Sequence, residues 1–456
     1  MNNITEKDIT IIGAGITGLT TAYYLQKKGY TIQLIDKLPQ VGGQMQTLQK
    51  DGYTFETGPN TGVLSSPEIV ELLQDLSAHC EVEKAHRSAH KRLIWKGTRF
   101  YALPSGLWSA ITTPLFTWKD KFGILLEPWR KKGTDPLESV GSLAKRRLGK
   151  SFLEYAVDPF LSGIYAGNHE KLITQFALPK LYRLEQDYGS FIRGAIAKAK
   201  QPKTDRDKSA TKEVFSLKGG FSALTHAIAK VIGEENISLQ AAYTHISPKG
   251  NKWHTTFVQD GEEKHIESKH VISTVGAYAL PELFPFLSTD TLQHLNNLYY
   301  APVVQVAVAL PQREDSWLHA FGGLIPGIEK KEILGILFPS ACFDHKAPKG
   351  QALFSFFMGG ARHPELYEAS DERIHAIVER SVIELLKYPK ETPIKILGIF
   401  RHQRAIPQYE ANSAIRFQAV QEVENQYQGL HIGGNLIGGI GISDRVKQGV
   451  FLASRI

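Results

Sequence analysis

Gly13-Ala14-Gly15-Ile16-Thr17-Gly18 has the composition and spacing to hold a diphosphate. An apolar run (Ile9, Ile11, Ile12) leads into it, a helix-like segment follows to Lys28, and a β-rich run from Tyr30 to Ile35 ends on Asp36. In such a βαβ unit Gly13 allows the tight turn out of the strand, Gly15 lets a pyrophosphate approach the backbone, and Gly18 lets helix and strand pack closely. The helix start offers unpaired N–H groups and the positive end of its dipole to the phosphates. An acid about twenty residues on can hold ribose hydroxyls, and Asp36 stands there. Glycines alone would also suit a plain turn; strand, helix and terminal acid together predict a dinucleotide site.

Other chemistry is less visible. The sixteen histidines are scattered, and no Ser-His-Asp set or metal cluster stands out. Cys80 and Cys342 lie far apart and fit neither a disulfide framework nor a C-x-x-C motif, which points to a reducing, cytoplasmic setting. The start of the chain lacks the basic and apolar regions of a signal peptide, and no apolar run is long enough to cross a bilayer. At 456 residues, 22% charged and 42% hydrophobic, the chain can build two or three ordinary cores. Its net charge of +7 admits an acidic small molecule or a membrane surface, while the spread of Lys and Arg and the lack of a recognisable module argue against nucleic acid.

The elements that must position the dinucleotide follow in order. Gly42-Gly43 comes soon after Asp36 and lets backbone lie close to a bulky cofactor; Gly58-Pro59-Asn60 returns after a hairpin-like segment. Residues 79–212 read as a helical insertion. Trp95, Trp108, Trp118 and Trp129 fall there among Phe100, Phe116, Phe122 and many cations. That mixture suits either a substrate-domain core with a solvated rim or a membrane-facing surface. Gly219-Gly220 opens a second amphipathic helix, and three strand-like runs form a meander. Residues 281–424 alternate β-rich runs with one helical pattern, as a separate sheet with a helix on it would. The last stretch gives a strand, a glycine-rich crossing and a helix. The expected fold is α/β. A discontinuous Rossmann-like domain (1–78, 213–280 and 425–456) carries the helical insertion (79–212) and an α+β substrate domain (281–424).

The first βαβ, the glycine doublet and the closing glycine-rich helix resemble the flavoprotein superfamily of amine oxidases and phytoene desaturases. Within it the chain is similar to the oxygen-dependent porphyrinogen oxidases of haem biosynthesis. Three local sequences carry the narrower likeness: Lys91-Arg92 with Ala102-Leu103-Pro104-Ser105-Gly106, the run SGIYAGNHEKL at Ser162 to Leu172, and AIPQY at Ala405 to Tyr409.

The resemblance implies FAD. Gly13 to Gly18 would hold the pyrophosphate, Asp36 the adenosine ribose, and Gly43-Gln44 with Gly58, Pro59, Asn60 and Thr61 the flavin side. Tyr243 stands where the family has a valine whose backbone meets adenine. Asn435 would meet the ribityl or pyrophosphate region, and Ile440-Gly441-Ile442 would present N–H groups to the flavin edge where negative charge develops. For the substrate, Arg92 matches a propionate-binding cation, Phe321 and Leu324 the residues that sandwich the macrocycle, and Met358 and Gly163 further pocket positions. Three departures stand out. His402 replaces a tryptophan on the flavin side, Asn412-Ser413 a Gly-His, and Gln44 the frequent arginine after the doublet.

The implied reaction is a six-electron oxidation of protoporphyrinogen IX or coproporphyrinogen III in three two-electron rounds, with dioxygen as acceptor and hydrogen peroxide as product. No side-chain acid or base is expected to be indispensable, because the flavin carries the chemistry. Peripheral contact with the inner face of the membrane, a homodimer and hand-off to ferrochelatase are the implied associations. The competing readings are a flavin oxidoreductase acting on an amine or a polyene, and a flavin-bound partner of the haem pathway without turnover.

Overall fold

The first apolar run is the strand Ile4–Ile12 (β1), the residues after the glycine turn form the helix Ile16–Lys27 (α1), and the chain returns as the strand Ile32–Ile35 (β2). These elements come from a computed structural model that describes residues 4–456. β1 and β2 pair in parallel, with Ile9 opposite Ile32 and Ile12 opposite Ile35. All of β2 is buried, as befits a strand covered on both faces. On its other side β1 pairs in parallel with Glu262–Ser273 along its whole length, from Ile4 and His265 to Ile12 and Ser273.

Segments from distant parts of the chain complete this sheet. Ile237–Ser238 extends it beyond β2, Leu430–Ile432 pairs in parallel with the end of Glu262–Ser273, and Lys252–Gln259 and Ala242–Lys249 add antiparallel strands. The meander is thus present, and its last strand continues into the parallel half. Helices Ser222–Ile232 and Ile442–Ser454 pack with α1 around one apolar cluster that includes Leu19, Leu224, Ile228 and Val446.

A second seven-stranded sheet runs in the order 395–407, 300–311, 351–359, 333–337, 322–324, 92–96 and 99–102. The helix Asp371–Glu384 covers one face through Ile374, Ile377, Val378 and Val382, the spacing of an amphipathic stripe.

The start of residues 79–212 differs from the helical expectation. Arg92–Lys96 and Arg99–Ala102 form a hairpin that adds two strands to the second sheet, in parallel with Gly322–Leu324. The reason is period two: Leu93 and Trp95 alternate onto the face that Asp371–Glu384 covers, and both are buried there. Val82–Lys84 likewise pairs with Val214–Leu217. Apart from a single 3-10 turn at Arg87–His90, the helices of this segment begin at Leu107.

Candidate functional site

The three glycines of the first turn meet different surroundings. Gly13 has φ +106°, and a Cβ there would lie 2.8 Å from Thr274 Oγ1; a Cβ on Gly18 would fall 1.8 Å from the Gly13 carbonyl oxygen. A Cβ on Gly15 would meet nothing within 4 Å. Two glycines are therefore demanded by the protein's own packing, while the third borders open space at the start of α1. No side chain caps that helix start and no acid lies in its first turn, so its N–H groups and dipole remain available to an anion. Ala14, Ile16 and Thr17 are buried and offer only backbone.

Asp36 is fastened to this turn. Its Oδ2 accepts the Ala14 N–H at 2.6 Å and its Oδ1 the Leu38 N–H at 2.8 Å. Burial pushes its carboxyl above the usual carboxylate range, and the two backbone N–H bonds oppose that rise. Ala241 N–H donates to the Asp36 carbonyl and Gln240 N–H to that of Leu38, which brings the exposed Tyr243 to the same end of the site. Tyr243 adopts φ +50° at an irregularity in its strand, so its backbone stands clear of the ladder there.

The doublet lies against the first turn. Gly42 N–H donates to the Ala14 carbonyl at 2.8 Å, and Gly43, at φ +59°, would place a Cβ 3.5 Å from Gly15 Cα. A Cβ on Gly58 would lie 2.1 Å from the Gln44 carbonyl oxygen, so the loops carrying Gly43 and Gly58 are in contact. Both are laced to strand Lys395–Pro407: the Gln44 amide donates to the Arg404 carbonyl at 3.0 Å, and the His402 ring bonds the Thr57 carbonyl at 2.6 Å. Pro59 and Thr61 are half-buried in the same turn. The Asn60 side chain is turned inward. Its amide donates to the Gly58 carbonyl and its Oδ1 accepts from Ser355 Oγ at 2.7 Å, so it ties the turn to the second sheet.

At the far end the helix Ile442–Ser454 starts on Gly441, whose N–H is taken by the Asp444 carboxylate at 3.2 Å. Ile440 and Ile442 pack into apolar clusters on either side of Gly441. Asn435 Oδ1 accepts from the Tyr300 hydroxyl at 3.0 Å, and the Tyr409 hydroxyl reaches the carbonyls of Asn435 and Gly439 at 3.0 and 3.1 Å. Tyr409 is 1% exposed, and burial pushes its phenol up. Gln408 donates to the Tyr165 carbonyl at 2.8 Å, and the Tyr409 carbonyl accepts from Ile173 N–H at 3.0 Å. The YAGN and AIPQY runs, more than two hundred residues apart, thus meet each other and the glycine-rich turn. Tyr409 is a site residue beyond those expected above, and its place in the AIPQY motif is the sequence signal for it.

On the substrate side, the Arg92 guanidinium lies over the Phe321 ring at 5.4 Å, and among the described residues no carboxylate is paired with it. Phe321 packs with Val63 and Phe343, and the Val63 carbonyl accepts from Ser443 Oγ, which links this ring to the start of the closing helix. A Cβ on Gly163 would lie 2.6 Å from Leu324 Cδ2, so Leu324 already fills the space that a larger residue would take. Met358 needs correcting as a pocket residue. It is fully buried between the second sheet and Asp371–Glu384, whereas its neighbour Phe357 is half-buried on the opposite face with Ala166 and Leu334. One position along a strand exchanges faces.

Comparison with known proteins agrees with this geometry. Residues 16–437 match the family model described as flavin containing amine oxidoreductase. The chloroplastic protoporphyrinogen oxidase of Nicotiana tabacum is 28% identical, over 99% of this chain and 85% of that protein. The coproporphyrinogen III oxidase of Bacillus subtilis is 26% identical, over 97% and 96% respectively. A solved structure from an Exiguobacterium species shares the fold with a TM-score of 0.78 at 22% identity, over 99% of both chains. The family match begins at the start of α1 and ends in the glycine-rich crossing, the two ends of the cradle described above, and the chain belongs to the flavin-containing amine oxidoreductases.

Proposed function

We propose that this chain is an FAD-dependent porphyrinogen oxidase, converting protoporphyrinogen IX or coproporphyrinogen III to the porphyrin. Each of three rounds removes a hydride and a proton from the macrocycle, and three O2 become three H2O2. The observation that carries this reading is the meeting of the YAGN and AIPQY runs on the turn beside Gly441, with the unpaired Arg92 over Phe321 nearby. The full-length likeness to proteins named protoporphyrinogen and coproporphyrinogen III oxidases supports it.

FAD supplies the hydride acceptor when bound. The cradle fits it at the first turn, with an uncapped helix start beside open space at Gly15 and Asp36 at the ribose end; at the other end the Gly441 N–H is taken by Asp444, which leaves the backbone of Ile440 and Ile442 to meet the flavin edge. The chain's own residues bind and orient. Arg92 grips a propionate with its planar fork, while Phe321, Leu324 and Phe357 offer apolar surface to the macrocycle. In this reading residues 1–78, 213–280 and 425–456 hold the cofactor. Residues 281–424, with the hairpin Arg92–Ala102, form the substrate side.

The helical segment supports peripheral contact with a membrane. Trp108 and Trp129 are 77% and 75% exposed, Phe122, Leu125 and Leu126 are exposed between them in the sequence, and Lys119, Lys121, Lys131 and Lys132 fall in the same stretch. No helix among the described residues is long and apolar enough to cross a membrane.

Anaerobic mixing with each porphyrinogen tests the reaction. Bleaching of the flavin band with a rising porphyrin band is expected, and the ratio of kcat/KM for the two substrates identifies the preferred one. A flavin spectrum that neither porphyrinogen alters would sink the proposal.

A further inference from the structure

At the carboxyl ends of the parallel strands, where open α/β sheets bind dinucleotides, two cations share one aromatic ring. The Arg404 guanidinium lies 4.0 Å from the Tyr278 ring centroid and the Lys37 ammonium 5.9 Å from the same centroid. Lys37 follows Asp36 at the end of β2, and Tyr278 comes shortly after Ser273, where the strand beside β1 ends. Both cations are exposed, and neither is ion-paired among the described residues. Asp36, the neighbouring acid, already accepts the N–H groups of Ala14 and Leu38. Asp36 lies near enough to Lys37 to attract it without forming an ion pair, and Arg404 has no ion pair among the described residues, so an anion placed between the two cations would relieve their mutual repulsion.

The position of Arg404 is built. Its carbonyl accepts from the Gln44 amide at 3.0 Å, directly after the glycine doublet that faces Gly15. Tyr278 is wedged edge-on against Tyr300 at 5.7 Å, and the Tyr300 hydroxyl bonds Ala277 N–H and Asn435 Oδ1 at 3.0 Å each. The Arg404 guanidinium is thereby laid on a fixed ring before any ligand arrives, which lowers the entropy cost of binding. Gln44 is neutral, and its amide is spent on the Arg404 backbone.

We propose that Arg404 and Lys37, mounted on Tyr278, form a clamp for the diphosphate of FAD, with Arg404 supplying the positive charge that Gln44 does not. This rests on FAD as the cofactor. Arg404 contributes a fork that can take two phosphate oxygens, Lys37 a point charge, and Tyr278 acts as a positioning residue.

Titration of the apoprotein with FAD, followed by flavin fluorescence, tests the clamp without any porphyrinogen. Arg404→Gln is expected to weaken FAD binding by about tenfold or more, the scale of a lost charge-assisted bond, and to flatten the dependence of Kd on salt. ADP-ribose, which keeps the diphosphate and lacks the flavin, should lose affinity by a similar factor. Lys37→Gln should show a smaller loss in both titrations. Arg404→Lys should recover part of the affinity, and Gln44→Arg in the Arg404→Gln background should recover more. Circular dichroism and the unfolding midpoint of each apoprotein separate a lost charge from a lost fold; if Arg404→Gln does not fold, Lys37→Gln and Arg404→Lys carry the decision. Wild-type affinity and salt dependence in Arg404→Gln, or in both of those variants where it does not fold, would overturn the clamp alone. Failure of the wild-type apoprotein to take up FAD would overturn the cofactor assignment and the clamp with it.

Discussion

Arg92 is a guanidinium with an aromatic ring on one side and no carboxylate paired with it among the described residues, so a substrate carboxylate meets no internal competitor. A charge-assisted hydrogen bond contributes about 1.5–3 kcal/mol, and the exposure of Arg92 argues for the lower end. Arg92→Ala is therefore expected to raise KM about tenfold with a small effect on kcat, and Arg92→Lys, which keeps charge and loses the fork, to fall between. Steady-state kinetics with both porphyrinogens check this, and an unchanged KM would remove Arg92 from the site. At this scale the sequence is most legible where sterics decide. The tight turn at Gly13 and the close helix–strand packing at Gly18 follow from which Cβ has room, and Gly15 borders the open space that a phosphate would need. It is least legible where a side chain has two eligible partners. Asn60 and Gln44 sit beside the expected cofactor, and their amides are spent on Gly58 and Arg404.

Between elements, what a sequence hides is which face or neighbour a strand takes. Met358 and Phe357 differ by one position and point to opposite layers, because pairing with Tyr300–Pro311 sets the register of their strand. The hairpin Arg92–Ala102 is likewise recruited by an edge that the chain supplies only after residue 322. The βαβ unit is local and needed no such partner. The same parallel sheet carries a pH-dependent element. His270 and His431, on adjacent strands, stack at 5.8 Å, and both nitrogens of His431 are buried without a protein partner. Burial, Arg455 and His270 push His431 down to about 4, and burial lowers His270 in the same direction. Above the unfolded value of about 6.5 both states are neutral at His431 and its contribution is intact. As pH falls from there towards 4 the unfolded chain takes up a proton that the native state resists. Stability therefore drops, by at most about 1.4 kcal/mol per pH unit from this group. Unfolding midpoints between pH 7 and 4.5 should fall less steeply in His431→Asn than in the wild type; parallel slopes would contradict the assignment.

For the molecule as a whole, the exposed aromatics of the helical segment stand on a rigid base. Arg147 is fully buried and pairs with Glu185 at 2.7 Å and Glu127 at 3.2 Å, while Arg146 joins Glu185 to Glu138. Removing either buried partner would strand a charge, so the base resists local opening. Above it, Trp118 carries Lys121 over its ring at 4.7 Å, and the Lys121 ammonium donates to the carbonyls of Ile111 and Thr113, which holds the short helices Leu107–Thr112 and Trp118–Leu125 together. Rings with one apolar body and flanking cations are suited to the depth of lipid headgroups, where burial of the ring and attraction to anionic lipid add. With a net charge of +7 the chain also gains long-range attraction to such a surface. The holoprotein should sediment with vesicles containing phosphatidylglycerol, more weakly with neutral phosphatidylcholine, and less at high salt. Substituting Trp108, Phe122 and Trp129 together by serine should abolish sedimentation while bound flavin and the unfolding midpoint stay near wild type, because these side chains contribute little to the packed interior. Equal sedimentation of this variant and the wild type would exclude the patch as the contact. Binding to neutral and anionic vesicles alike, indifferent to salt, would assign the attraction to the rings alone and leave the lysines around them no part in it.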